Sequence, residues 1–253
     1  MKIVVFLKLV PDLVEEISID EGGTKLDSAW MRMIINEFDD HSLEQAVLLK
    51  EKYSAEIIAM APDFDDIDEV LYTASAKGVD RVIKLTGDLE EVNNHGLARA
   101  IAPIIEDLQP DLVLTGVQAN DDIDGSIGSA LAACLNQPFI GYIAGMTYDN
   151  NELVVHKEYP GGVIAEVSVT TPVVLGIQAA EHPPRYVAVS KVRQVMKTTS
   201  IDELPLGELD TSGSAHLERM FLPEASQHAE MIEGDPDEIA EKLVTIFKDE
   251  GIL

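Results

Sequence analysis

A single cysteine, Cys134, among 253 residues leaves nothing to pair with in an intrachain disulfide. It falls within a helix expected over Ala130 to Leu135, at a core-type position where a lone thiol reads as a small hydrophobe rather than a nucleophile. Long apolar runs are missing as well. Nothing approaches the ~18 residues of a membrane span, so insertion of a helix into a bilayer is excluded. The opening run Ile3-Val4-Val5-Phe6-Leu7 is cut short by Lys8 with no cleavage-site pattern. It reads as a first strand, not a signal peptide, and a cytoplasmic protein is expected. Cations are scarce: 18 Lys and Arg stand against 46 Asp and Glu, a net charge of −28. Such a surface repels nucleic acid and anionic membranes, and suits either a basic protein partner or adaptation to salt.

Catalytic signatures are absent too. There is neither a GxGxxG fingerprint nor a Walker motif, so a dinucleotide-fold dehydrogenase and a P-loop ATPase are both unsupported. His41, His95, His156, His182, His216 and His228 are scattered without ligand spacing. No Ser/His/Asp or Cys/His arrangement and no isolated carboxylate pair stands out for acid–base work.

What is present is an alternating α/β pattern in a chain of ordinary globular composition, 46% hydrophobic and 25% charged. Apolar strand runs at Ile3–Leu7, Glu56–Met60, Arg81–Leu85 and Leu112–Thr115 are separated by helix-period segments. Those helices span Asp40 to Tyr53, Ile67 to Ala76 and His95 to Leu108. Continuous apolar strands alternating with amphipathic helices predict parallel βαβ units covered on both faces. After Cys134 the pattern becomes an antiparallel meander, Phe139–Thr147, Leu153–Lys157 and Val163–Val169, and Val173–Gln178 returns the chain to the sheet. Pro183-Pro184 ends the sheet, a short helix is expected over Ser190 to Lys197, and a thinly apolar stretch follows. Asp235-Pro236-Asp237-Glu238 then caps a final helix carrying Ile239, Leu243, Ile246 and Phe247. Such a tail buries little against itself and is expected to wrap a partner.

The most informative stretch is Gly116 to Gly128, where an apolar strand empties into a polar, Gly-punctuated loop that opens a helix. Backbone amides and a helix N-terminus converge there, which suits a phosphate. A tight turn with ordinary capping is the plainer reading. Gln118 and Asn120 are placed to read a base or sugar edge. Asp121, Asp122 and Asp124 resemble a metal cluster, although acidic residues are expected near a helix start anyway. A second loop, Asn36-Glu37-Phe38-Asp39-Asp40, precedes a helix that Asp39 or Asp40 can cap, with Asn36 suited to an adenine edge and Phe38 to an aromatic wall.

Three landmarks are specific when taken together. The first strand runs into Lys8-Leu9-Val10-Pro11-Asp12; Asn36-Glu37-Phe38-Asp39 leads into an amphipathic helix; and Gly116-Val117-Gln118-Ala119 leads the Asp/Gly loop. Lys157-Glu158-Tyr159-Pro160-Gly161-Gly162, Pro184-Arg185-Tyr186 and the turn Ala76-Lys77-Gly78-Val79-Asp80-Arg81 join them. In this order and spacing the chain resembles, over nearly its whole length, the β (small) subunit of electron transfer flavoproteins. The fold expected is a three-layer, doubly wound, mostly parallel sheet of the adenine-nucleotide-hydrolase-like kind, with an antiparallel meander and an extended C-terminal arm. Residues 1–187 would form the α/β nucleotide-binding domain, and 188–253 the partner-recognition segment and arm.

The resemblance implies a heterodimer with a larger α subunit. It would relay electrons between a flavin dehydrogenase, of the acyl-CoA dehydrogenase type used in fatty acid oxidation or another kind, and an acceptor such as a membrane-linked quinone oxidoreductase. FAD would sit mostly on the α subunit. This subunit would hold AMP or, in electron-bifurcating members, a second FAD that takes hydride from NADH. Carried over residue by residue, the nucleotide-contacting positions are Phe6, Lys8, Asn36, Phe38, Asp39, Gln118, Ala119, Asn120, Asp121, Asp124, Gly125, Ser126, Ile127, Gly128 and Ser129, with Phe38 also near the α-bound FAD. Val187 to Met196 matches the partner-recognition loop and the tail matches the arm that embraces the α subunit. Val117 stands where Lys or Arg is usual, Ser126 where Gln is usual, and Val189-Ser190-Lys191-Val192-Arg193-Gln194 replaces the usual Leu-Pro-Asn-Ile-Met-Lys, which leaves the dehydrogenase partner open. A stand-alone adenine-nucleotide sensor is the alternative. A pyrophosphatase-loop enzyme ranks last, because the first strand is not followed by a phosphate-cradling turn.

Overall fold

In the computed structural model, described for residues 1–27, 31–64, 67–89, 92–122, 125–149, 152–207, 209–210, 212, 217–223, 229 and 231–253, the chain forms two compact units, Met1–Glu218 and Arg219–Leu253. Every residue of β1 (Lys2–Phe6) except the first is buried, as in a strand covered on both faces. A short antiparallel ribbon follows, β2 (Leu9–Pro11) with β3 (Met33–Ile35), and leads into α1 (Glu37–Tyr53). Then come β4 (Glu56–Pro62), α2 (Ile67–Lys77), β5 (Arg81–Thr86), α3 (Asn94–Leu108), β6 (Leu112–Gly116) and α4 (Ile127–Cys134). The meander is β7 (Phe139–Asp149), β8 (Glu152–Tyr159) and β9 (Val163–Val169), followed by β10 (Val173–Ile177), α5 (Val189–Val195) and β11 (Asp202–Pro205). The second unit carries α6 (Pro236–Asp249).

The main sheet has nine strands in the order β11-β5-β4-β1-β6-β10-β7-β8-β9. It is parallel from β11 through β7 and antiparallel across β7, β8 and β9. Alternation along the strands divides the core between the two faces. Ile3, Val5 and Leu7 pack with Leu43, Val47 and Leu71 of α1 and α2. Val4 and Phe6 pack with Ile101, Ile105 and Leu131 of α3 and α4. The result is the expected three-layer, doubly wound α/β fold with its meander.

Three details differ from the sequence reading or add to it. The β2–β3 ribbon and β11 were not expected as strands. β11 lies at the sheet edge beside β5, held by Arg81 Nε to Asp202 (2.6 Å) and Lys84 to Glu203 (3.1 Å). Cys134 is exposed, not core-facing. Helix α4 buries Ile127, Gly128, Leu131 and Ala132, and at 100° per residue Cys134 falls about a quarter-turn from the middle of that stripe.

Between β10 and β11 the chain crosses the α1/α2 face as a strap. The amide of Ala180 donates to His41 Nδ1 (3.1 Å), that of Glu181 to Gln45 Oε1 (3.2 Å), and Arg185 binds Glu44 and Glu51. The Thr199 and Ser75 hydroxyls meet at 3.3 Å, and β11 then pairs with β5. In the second unit, α6 starts at a capping box: Asp235 accepts from the amides of Asp237 and Glu238, and Glu238 reaches back to the amide of Asp235. None of its residues is buried.

Candidate functional site

From β1 the chain builds outward to β4 and β5, then returns to place β6 on the other side of β1. That reversal makes the carboxyl ends of β1 and β6 the switch point, where an open α/β sheet has its ligand crevice. Its walls are the end of β1 with Lys8, the N-terminus of α1, and the loop that joins β6 to α4.

Helix α1 ties the two strand ends together. Asp39, in its first turn, accepts the Lys8 amide on one carboxylate oxygen (3.0 Å) and the Gly116 amide on the other (2.8 Å). Asn36 donates its side-chain amide to Gln118 C=O (2.9 Å), and its own N–H to Lys8 C=O (2.9 Å). The approach is close enough to demand glycine at 116: a Cβ there would lie 2.6 Å from Asp39 Oδ1 and 2.7 Å from Phe38 Cβ. Burial pushes the Asp39 carboxyl up to about 7, against the opposing pull of the Gly116 N–H, the Asn36 side chain, the Lys8 N–H and the Lys8 charge.

Lys8 pins the loop. Its Nζ lies 2.7 Å from Asp121 and 2.8 Å from Asp122. Burial works against the Lys8 charge, but the two carboxylates more than offset it and hold its pKa above the ordinary lysine value. Asp122 also accepts the amide of Ala119 (3.2 Å), and Asn120 donates to Pro11 C=O (3.1 Å). The strongest cation at the crevice is therefore already engaged by the loop itself.

The two helix N-termini at the crevice differ in charge. The first turn of α1 carries Glu37, Asp39 and Asp40, whereas that of α4 has no acidic residue. The first intrahelical bond of α4 runs from the Ala130 amide to Ser126 C=O (2.8 Å), so the amides of Ile127, Gly128 and Ser129 precede it and point outward from the helix end. Glycine at 128 lets this turn press onto the sheet, since a Cβ would lie 2.6 Å from Thr115 Oγ1 and 2.9 Å from the Phe139 ring. The buried Thr115 hydroxyl beneath it has no hydrogen-bond partner among the described residues. Of the two termini, α4's is the one suited to an anion.

A family model, the electron transfer flavoprotein domain, matches residues 29–207. The chain is 32% identical to the electron transfer flavoprotein subunit beta of Methylophilus methylotrophus, with 98% of each chain covered. It is 27% identical to that of Bacillus subtilis (99% of each) and 29% identical to that of Clostridium acetobutylicum (100% of each). The chain belongs to the electron transfer flavoprotein β-subunit family.

Set on this electron transfer flavoprotein fold, most residues singled out from the sequence do gather at one crevice, though in different capacities. Asn36 and Asp39 face backbone groups of the strand ends. The Phe6 ring is 2% exposed and belongs to the α3/α4-side core, so only its backbone borders the site. Phe38 is half-buried against Gly116, while Gln118, Asn120, Asp121 and Ser129 are exposed, and Ala119, Ile127 and Gly128 are buried. Gly125 and Ser126 are half-buried in the turn before α4. Asp124 lies outside the described residues. Among the described residues no group of His, Cys, Asp and Glu forms a metal site, and Asp121 and Asp122 are paired with Lys8. Asp122, named from the sequence as one of an acidic trio, instead holds the loop through Lys8. Thr115 was not anticipated, because a threonine ending an apolar strand carries no distinguishing signal.

Proposed function

We propose that this electron transfer flavoprotein small subunit works in a heterodimer with a larger α subunit, relaying electrons between a flavin dehydrogenase and a redox acceptor. An adenine nucleotide would occupy the crevice between β1 and β6. The observation that supports this most is the pairing of that switch point with an α4 first turn free of acidic residues, above a Thr115 hydroxyl that has no partner among the described residues. The amides of Ile127, Gly128 and Ser129 would receive the phosphate. Gln118 and Asn120, on the rim, would meet the sugar or base, and Phe38 would offer the aromatic wall. Lys8 would hold the loop through Asp121 and Asp122 instead of meeting the phosphate itself. A single helix terminus suits a single phosphate, which favours AMP over a second FAD in this subunit.

FAD, held mainly by the α subunit, supplies the redox chemistry when bound. This chain's part is to shape the crevice, exclude water from it and present docking surfaces. Val187 to Met196 is proposed as the dehydrogenase-recognition segment; it includes α5, with Val189 and Met196 well exposed beside Tyr186. The arm ending in α6, with Leu243, Ile246 and Phe247 partly exposed along the helix, is proposed to grip the α subunit. The test is to denature the purified heterodimer and count the released nucleotides. One FAD and one AMP per pair is the expected result. Two FAD would mean a bifurcating member, and a pair that carries no flavin under any condition would refute the carrier role.

A further inference from the structure

At the floor of the crevice lies a carboxylate that the nucleotide reading does not need. Asp39 is 4% exposed, and its two oxygens are occupied by two backbone amides from different strands, Lys8 after β1 and Gly116 at the end of β6. A buried carboxylate held by two strand amides and the Asn36 side chain is costly to the fold, and such groups are retained where position matters. Asn36 repeats the bridge one turn earlier, joining Lys8 C=O to Gln118 C=O, so the α1 terminus spans β1 and β6 at four points. Unlike Asn36, Asp39 can change its hydrogen-bonding capacity by taking up a proton.

We propose that Asp39 is a proton-operated latch: ionised, it holds the ends of β1 and β6 together at the crevice; protonated, it releases one of them. A carboxylate accepts on both oxygens. Once protonated by solvent, one oxygen becomes a hydroxyl and a poor partner for the N–H aimed at it. Asp39 is thus a positioning residue, acting on a bound ligand through the Lys8 and Gly116 backbone.

Burial, only partly offset by the hydrogen bonds it accepts and by the Lys8 charge, keeps the group near its midpoint at neutral pH. Lys8 is the cation facing it, and that charge is shared with Asp121 and Asp122. On α1 itself, Glu37 is exposed, Asp40 pairs with Lys77 of α2, and His41 Nδ1 accepts the Ala180 amide. β6 and β10 carry no titratable residue, and β4 carries only Glu56 at its opposite end. β1 carries only Lys2, likewise at its opposite end, so among the described residues no group on these elements duplicates the switch.

The experiment uses the heterodimer with its glycines and lysines of this chain labelled with nitrogen-15, titrated from about pH 5 to about pH 9. The Lys8 and Gly116 amide resonances are expected to move together with one midpoint near neutrality, and to stay fixed in Asp39→Asn. Resonances that do not titrate, or that titrate alike in the variant, would overturn the latch. If Asp39→Asn does not fold, Asp39→Ser serves as the non-titrating variant. A second arm rests on the nucleotide reading and uses adenosine, which has no phosphate charge of its own to respond to Asp39. Its affinity is expected to fall several-fold from pH 8 to pH 6 in the wild type and to stay level in the variant; the same profile in both counts against the latch. If adenosine binds neither protein, the nucleotide reading fails, while the amide titration still decides the latch.

Discussion

Arg185 divides its guanidinium between two carboxylates two helical turns apart on α1, Glu44 (2.8 Å) and Glu51 (2.6 Å). Glu44 is almost fully buried and also accepts the Arg185 amide (3.0 Å), so removing the arginine side chain strands a charge in the interior. Arg185→Ala is expected to cost about 3 kcal/mol of stability in chemical denaturation, below the upper range for buried pairs because the arginine is itself partly exposed. Adding Glu44→Gln to that variant should recover much of the loss, since it removes the stranded charge. Asp39 carries a pH signature of its own. Its folded pKa, about 7, lies above the ordinary carboxylate value near 4. The folded chain therefore binds more protons between those limits, and the wild type loses stability as pH rises through them. Urea unfolding at several pH values should show wild type losing ground to Asp39→Asn from about pH 4 to about pH 7, then running parallel. A wild type that gains ground over that interval would contradict the assignment.

At the level of elements, what could be read from sequence follows from burial. β1, β4 and β6 announce themselves because strands covered on both faces are continuous apolar runs, and α3 because its apolar residues recur at helical spacing behind an Asn93 cap (2.8 Å to the Gly96 amide). β11 stayed hidden: Asp202-Glu203-Leu204-Pro205 is charged and ends in proline, the marks of an edge strand, which resemble those of a loop. The β2–β3 ribbon is only three residues a side, too short for any periodicity. At the crevice, the loop and the α1 terminus stood out through their Gly, Asn and Asp content. The division of labour among them did not, because an Asp that faces a ligand and an Asp that holds two amides are the same letter. Leu206, buried just past β11, anchors that edge, and its amide bonds to Thr86 C=O (2.7 Å). Leu206→Ala should cost about 2–3 kcal/mol and make the 202–206 amides exchange faster than those of β4. For α6, Leu243→Asp with Phe247→Asp should leave the circular dichroism of the Met1–Glu218 unit's helices and strands intact and abolish co-purification with the α subunit. Retained co-purification would refute the arm's proposed grip.

For the molecule as a whole, 46 acidic against 18 basic residues make self-repulsion a standing load on the folded state. Raising salt from about 0.05 M to about 0.5 M shortens the Debye length several-fold and should raise the thermal midpoint; a falling midpoint would mean that the surface ion pairs outweigh the repulsion. The strap over α1 and α2 matters at this scale as well. It leaves the sheet at β10, near the middle, and rejoins it at β11, the far edge, fastened along the way to His41, Gln45, Glu44, Glu51 and Ser75. The segment proposed to meet dehydrogenases is therefore not a loose lure but a plank nailed at both ends. A partner that presses on Tyr186 or Met196 meets a stiff base and loses little entropy in ordering it. Those fastenings begin at His41, only two residues beyond Asp39, so the strap and the crevice share one helix.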